Sequence, residues 1–274
     1  MRNKLTDELA VCGLNAIRTL SEVHPEKINR LFLREDRLPL FTGLCKRLAE
    51  RKRPYKLCED EELERICKTP HHQGIVAMIY EPVIEEIKPE DIDTWAAEGK
   101  TGLLLCDIGN DLNLGAIVRS AAFFDASPVI LTIRKVQPRQ DSDEEESDVL
   151  LLSTGAYRTA EGGMEYVEFR SVRRPAAFLR SASKKLITIG TDPRARIRIR
   201  DIPQLVKKQK AAGTTPNTAP RPGIVLVIGN EETGLPGDVK EQCTIVARIP
   251  GTGVIESLNA AQAATLFLQE LYER

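Results

Sequence analysis

Three polar turns in this chain concentrate the groups able to do chemistry. The first is Gly109-Asn110-Asp111-Leu112-Asn113-Leu114-Gly115, followed by a helical segment whose only basic side chain is Arg119. The second is Gly229-Asn230-Glu231-Glu232-Thr233-Gly234, with two adjacent carboxylates. The third runs from Ile249-Pro250-Gly251 through Ser257-Leu258-Asn259. Up to Ile255 it is a Pro/Gly loop, and from Ser257 it becomes Ala-rich and helix-forming to the C-terminus, with Ser257 as the expected N-cap. A glycine loop that opens a helix leaves backbone N–H groups available to a ligand. Amides, carboxylates, hydroxyls and one helical guanidinium can orient a substrate and steady charge, but they include no strong nucleophile. A phosphate loop, a dinucleotide fingerprint and a G-x-S-x-G elbow are all absent.

These turns need rigid elements to hold them. Ile224–Ile228 is an apolar run bounded by Gly223 and Gly229 and reads as a buried strand entering the second turn. Gly102–Ile108, Ala116–Phe124 and Ser127–Ile133 read as strand, helix and strand, a βαβ unit of a parallel sheet. Two ligand loops close in sequence suggest one pocket at strand ends. Further helix and strand signals lie at Ala176–Lys184 and Leu186–Gly190. The acidic run 141–148 and the stretch 207–222 read as insertions.

Residues 1–80 read as a separate small α/β unit. Helical spacing follows Gly13 within Leu9–Leu20, strands are expected at Ile28–Leu33 and Gln73–Tyr80 (the latter closing the unit), and a helix at Leu40–Glu50. Residues 81–100 read as a linker with a short acidic helix around Trp95, and 101–274 as the second domain. Basic residues gather at 46–56, where a solvated helix face and a phosphate-contacting patch are both open readings. Arg194, Arg196, Arg198 and Arg200 alternate with smaller or apolar residues, so an extended backbone puts them on one face; an anionic partner is favoured over a charge-protected edge strand. His71-His72 has no third ligand at metal-binding spacing, so a polar turn is expected and no metal site.

The chain has 274 residues, 42% hydrophobic, with a formal net charge of -1. That composition supports a folded core and excludes a disordered chain. The six cysteines lack any C-x-x-C and read as free thiols of a reducing cytoplasm. Neither a signal peptide nor a membrane-spanning run is expected.

Three segments, NDLNLGAIVRSAAFF (Asn110–Phe124), VIGNEETGL (Val227–Leu235) and IPGTGVIESLNAAQA (Ile249–Ala263), together resemble the SpoU/TrmH RNA ribose 2′-O-methyltransferases of the SPOUT superfamily. CGLNAIRTLSEVHPEKINRLFL (Cys12–Leu33) resembles that family's N-terminal substrate-binding domain. The resemblance implies an α/β fold: a parallel-sheet SPOUT domain with a deep trefoil knot, preceded by a small RNA-binding domain. It implies a cytoplasmic homodimer that uses S-adenosyl-L-methionine on RNA, with rRNA favoured over tRNA. Carried over, the cofactor contacts fall on Gly229, Ile249 and Leu258, with Val227, Pro250, Glu231 and Asn259 close by. Arg119 matches the family's catalytic arginine. Asn113 would hold Arg119 or the ribose, Glu231 would order Arg119, and Ser257 and Asn259 would shape the site. An arginine is a poor base at neutral pH because its pKa lies above roughly 12, so orienting the 2′-OH and a phosphate is its expected task. The chain departs from the usual pattern at Asp111, Gly251 and Ala260-Ala261. The alternative is a non-catalytic RNA-binding or ribosome-assembly factor on the same fold; a different nucleotide-binding α/β enzyme is a third, weaker reading.

Overall fold

The computed structural model describes residues 2–3, 8–136, 147–149, 152–211 and 221–272. They fall into two compact units. The first comprises Met1–Val83, Leu114–Arg119 and Leu151–Tyr166; the second comprises Ile84–Asn113, Ser120–Leu150 and Val167–Arg274.

The first unit is built on a five-stranded sheet of order β1-β2-β5-β3-β4, with β1 at Arg2–Asn3, β2 at Glu8–Cys12, β3 at Ile28–Leu33, β4 at Tyr55–Leu57 and β5 at Ile75–Tyr80. Helices α1 (Leu14–Val23), α2 (Leu38–Glu50) and α3 (Asp60–Cys67) join these strands. The helical spacing after Gly13 is α1. The residues before Gly13 form β2, all five of them buried. Gly13 makes the abrupt turn between the two with φ 103°, a conformation that costs glycine little. The expected 73–80 strand is β5, which closes the unit in sequence and lies centrally in its sheet, antiparallel to both β2 and β3. Its IVAMIY sequence suits that place, since a central strand buried on both faces reads as a continuous apolar run.

Part of the basic cluster at 46–56 is internal stitching. Arg47 Nη2 donates to Ser21 O at 2.9 Å, and Arg53 Nη1 donates to the carbonyls of Glu26 and Ile28. Lys46, Arg51 and Lys52 are exposed. His71-His72 lead into a turn at Gln73-Gly74: His72 is buried and its Nδ1 accepts the Gly74 N–H at 3.1 Å. Among the described residues no cluster of three metal-ligating side chains occurs.

The second unit opens with α4 (Pro89–Glu98), whose Trp95 and Ala96 are buried in its core. Strand β6 (Thr101–Leu105), helix α5 (Asp111–Phe123) and strand β7 (Val129–Thr132) follow, with β6 and β7 parallel. The expected βαβ unit is therefore present. Helix α5 starts earlier than the expected Ala116, because Asn110 caps it: Asn110 Oδ1 accepts the Leu112 N–H at 2.8 Å. Asn113 and Gly115 are thus helical and not part of a turn. Two short paired strands, β8 (Arg134–Val136) and β9 (Ser147–Val149), lie beyond β7. The acidic run reaches β9 only at its end, and its remainder lies outside the described residues.

Helix α6 (Thr154–Ala160) belongs to the first unit. The second unit resumes with β10 (Phe169–Val172), α7 (Pro175–Ala182), β11 (Ile187–Thr191), β12 (Ile197–Arg198), α8 (Ile202–Ala211), β13 (Ile224–Ile228), α9 (Gly237–Glu241), β14 (Ile245–Arg248) and α10 (Ala260–Tyr272). Helix α8 takes up residues 207–211 of the expected insertion, and 212–220 lie outside the described residues. The resulting seven-stranded sheet has the order β10-β7-β6-β13-β11-β14-β12 and is parallel throughout. Its central β13, IVLVI, is wholly buried. Trp95, Leu104, Ile130, Leu179 and Val225 form part of one apolar cluster of this unit. The alternating arginines keep an exposed face at 194, 196, 198 and 200, on the edge beside β12. Among the described residues no helix is long and apolar enough to cross a membrane.

Candidate active site

In a parallel sheet every strand ends on the same side, and ligands gather in the loops there. Here the loops after β6, β13 and β14 are the three polar turns. β6 and β13 are neighbours, and β14 is separated from β13 by β11 alone.

One chain of hydrogen bonds ties these turns together. Asn113 Nδ2, in the first turns of α5, donates to Glu231 Oε1 at 2.6 Å. Asn259 Nδ2 donates to Asn113 Oδ1 at 2.9 Å. The second Glu231 oxygen accepts the Gly109 N–H at 3.4 Å. Asn113 therefore sits between a carboxylate and an amide, with its own orientation fixed from both sides. Asn259 is held in turn by its helix, since its Oδ1 accepts the Ala261 N–H at 2.8 Å. Asn259, and not Ser257, is thus the N-cap of α10; Ser257 lies exposed in the loop, two residues too early to reach the first helical turn.

The β13 turn is shaped by two residues. At Gly229 a Cβ would stand 2.4 Å from Gly234 C and 2.5 Å from Leu235 N, so only glycine permits the chain to fold back on itself there. Asn230, a residue the sequence reading did not single out, pins the turn. Its Oδ1 accepts the N–H groups of Glu232 and Thr233, and its Nδ2 donates to Asp107 O at 2.7 Å. An Asn opening a polar turn is the sequence signal for this Asx arrangement. The turn delivers Glu231 to Asn113 as a consequence.

The candidate cofactor residues divide by burial. Val227 and Gly229 are buried, with the Val227 carbonyl accepting from Thr191 Oγ1 at 3.2 Å. Ile249 is half-buried and Pro250 exposed. In the following loop Val254, Ile255 and Leu258 are 88%, 78% and 47% exposed. Apolar side chains held open on a loop at the sheet's carboxyl edge suit an apolar ligand face, with backbone groups available for polar contacts. Arg194 Nη2 ties this loop at Glu256 Oε1, at 2.7 Å.

Arg119 lies in the part of α5 that folds with the first unit, six residues beyond Asn113. Gly115 is needed there, because a Cβ would stand 2.5 Å from Ala156 O of α6. The exposed Arg119 guanidinium pairs through Nη2 with Glu161 Oε2 at 3.1 Å. Glu231, expected to order Arg119, instead holds Asn113. Sequence reading missed Glu161, which stands just past α6 with φ 46°, a left-handed conformation uncommon for a non-glycine residue.

Comparison with known proteins follows this geometry. Residues 100–269 match the model of the SpoU rRNA methylase family, and residues 10–83 match that of the RNA 2′-O ribose methyltransferase substrate-binding domain. The chain belongs to the SpoU rRNA methylase family. As an RNA methyltransferase of this family, it is 28% identical to the 23S rRNA (guanosine-2′-O-)-methyltransferase RlmB of Acinetobacter baylyi, across 94% of each chain. It is 25% identical to the uncharacterized tRNA/rRNA methyltransferase YfiF of Escherichia coli O157:H7, over 100% of this chain and 70% of that one. Its fold is that of the AdoMet-bound rRNA methyltransferase from Sinorhizobium meliloti, with a TM-score of 0.70 at 21% identity over 98% and 88% of the two chains. The SpoU methyltransferase AviRb from Streptomyces viridochromogenes, solved with AdoMet, gives a TM-score of 0.65 at 20% identity over 98% and 91%.

Proposed function

We propose that this SpoU family member transfers a methyl group from S-adenosyl-L-methionine to a ribose 2′-hydroxyl of structured RNA, ribosomal RNA before transfer RNA, as a cytoplasmic homodimer with the family's trefoil knot. The observation that carries this reading is the hydrogen-bonded chain Glu231–Asn113–Asn259, which joins the turns of all three family segments into one constellation. The RlmB relative, described as a guanosine-2′-O-methyltransferase of 23S rRNA, supports the ribosomal choice.

The residues present fit the cofactor. The loop after β14 offers open apolar side chains, Val254, Ile255 and Leu258, beside the glycine-shaped turn after β13, and together they suit an adenosine and a methionine chain. Val227, Gly229, Ile249, Pro250, Leu258 and Asn259 are the residues assigned to hold it. When bound, S-adenosyl-L-methionine supplies a methyl group already activated by its positively charged sulfur.

The protein's own task is then alignment. Asn113, fixed on both sides, presents a rigid amide to the ribose. Glu231 holds Asn113 in one orientation. Arg119 supplies a planar guanidinium that can grip the phosphate next to the reacting ribose and keep the 2′-oxygen in place. Ser257 and Asn259 border the same loop and limit the space around the ribose.

The test is mass spectrometry of nucleosides from ribosomal and transfer RNA, with and without the gene. Loss of one 2′-O-methylated nucleoside from ribosomal RNA is expected. Loss from transfer RNA would move the substrate class, and no loss in either would favour a non-catalytic RNA-binding factor. Sedimentation of the purified protein tests the dimer.

A further inference from the structure

Two arginines end neighbouring strands side by side. Arg198 closes β12 and Arg248 closes β14, and the parallel register sets them directly opposite each other. We propose that this pair, with Arg196 and Arg200 beside it, is a phosphate site for the backbone of the substrate RNA beyond the reacting nucleotide. The site lies wholly within the second unit, and the proposal rests on the RNA methyltransferase reading above.

The pleat sends the two members of a cross-strand pair to the same face. Ile197 and Ala247, the preceding pair, face inward: Ala247 is fully buried and Ile197 half-buried. Arg198 and Arg248 therefore stand together on the opposite face, Arg198 exposed and Arg248 half-buried. Like charges directly opposite each other on adjacent strands repel. A carboxylate between them would relieve this. Among the described residues, however, only Arg194 of the arginines at 194–200 and 248 is paired with a carboxylate, that of Glu256. Asp201 turns its Oδ2 to the backbone, accepting the Arg198 N–H at 3.2 Å. One charge is enough to protect the end of an edge strand, so edge protection leaves the repelling pair unexplained. A phosphodiester set against both guanidinium groups turns the repulsion into binding, because each presents a planar fork of N–H donors that matches two phosphate oxygens.

Position in the chain says which phosphate. Arg248 runs directly into Ile249 and the loop assigned to the cofactor, and Arg194 holds the same loop at Glu256. An RNA whose ribose reaches that loop carries a phosphate at every nucleotide beyond it, and the arginine pair stands at the root of the loop to meet one. The chain has a formal net charge of -1, so the attraction comes from this local arrangement and not from an overall basic field. Phosphate contacts fix register and carry no base information. The pair therefore sets how far the substrate must extend past the reacting ribose, and not which base is methylated.

The experiment measures binding of the full chain to two structured RNAs of different sequence across a potassium chloride series. Arg198→Ala combined with Arg248→Ala should weaken binding to both RNAs equally, by about tenfold at low salt, and flatten the salt slope by about 2. KM for RNA should rise while kcat and S-adenosyl-L-methionine affinity stay within about twofold, since a contact remote from the chemistry serves ground and transition states alike. Arg198→Lys should keep the salt slope while losing part of the affinity. Arg180→Ala is the control, because Arg180 donates to Gln242 ahead of the amino end of β14, away from the strand ends. An equal loss in Arg180→Ala would reduce the effect to bulk charge and overturn the site. Wild-type RNA affinity and salt slope in the double variant, with methyl transfer intact, would overturn it and leave the methyltransferase reading standing. Loss of S-adenosyl-L-methionine affinity alone would also overturn it, making the anion the cofactor's own carboxylate. A wild-type protein that binds S-adenosyl-L-methionine but no RNA would overturn both. Arg198→Ala alone, at an exposed position, gives the same readings with a slope change of about 1 if the double variant folds poorly.

Discussion

Asn113 donates to Glu231 at 2.6 Å, joining the first turns of α5 to the turn after β13. An asparagine amide can donate to a carboxylate and accept from another amide at once, and Asn113 does both by accepting from Asn259 at 2.9 Å. Aspartate in its place has no N–H to donate. The substitution Asn113→Asp sets two carboxylates against each other and should cost about 1–3 kcal/mol of stability near neutral pH. The folded-state pKa of such a pair is raised, so the loss sets in as pH rises through the usual carboxylate range, is full above the raised folded value, and vanishes in acid below the unfolded value. Urea unfolding of both proteins across that range checks this. A pH-independent difference would mean that the charges do not meet.

Gly229→Ala should disturb the neighbouring turn before it disturbs the sheet. The new methyl would meet backbone atoms of Gly234 and Leu235 at 2.4 and 2.5 Å, and backbone cannot yield as a flexible side chain does. We expect a loss of about 1–3 kcal/mol, the usual cost of overpacking, together with weaker S-adenosyl-L-methionine binding. Calorimetric titration and thermal unfolding would read the two effects separately.

Arg119→Lys keeps the charge and removes the planar fork. If Arg119 grips a phosphate through two parallel N–H groups, methyl transfer should fall by about 10²-fold or more while cofactor affinity stays within about twofold. Single-turnover transfer of labelled methyl to ribosomal RNA is the measurement. An unchanged rate would remove the guanidinium from the chemistry.

Asp192, just beyond β11, makes part of the stability pH-dependent. Its burial alone would raise the carboxyl's pKa, but the hydrogen bond from Lys240 Nζ at 2.9 Å and that from the Arg194 N–H outweigh it, and the net direction is downward. A carboxyl with a depressed folded pKa stabilises above its unfolded value, here near 3.8, and loses that contribution as pH falls through the folded value. Asp192→Asn should therefore be less stable than the wild type at neutral pH, with the gap closing only in acid below that unfolded value. Chemical unfolding over a pH series tests it.

The arginine face at 194–200 shows how far a pattern reaches. Alternation predicted exposed guanidinium groups, and the four arginines are exposed, yet only Ile197–Arg198 is a strand. A two-residue edge strand takes its place from β14 beside it, which local periodicity does not encode. The start of α5 was misplaced for a related reason. Asn and Gly are turn formers in isolation, but Asn110 as a cap and α6 packed on Gly115 make the same residues helical.

The sequence by itself determined the chemical inventory and the parallel α/β plan. Apolar runs such as Ile224–Ile228 must be buried, and glycine, asparagine and carboxylate at their ends must form turns. Only the tertiary structure decided which of those groups meet. Asn113 and Glu231 lie 118 residues apart, and Asn113 and Asn259 lie 146 apart, so their hydrogen bonds depend on strand order in the sheet and not on any local pattern. The partner of Arg119 depends likewise on α6 packing against α5, which places Glu161 where the sequence had pointed to Glu231.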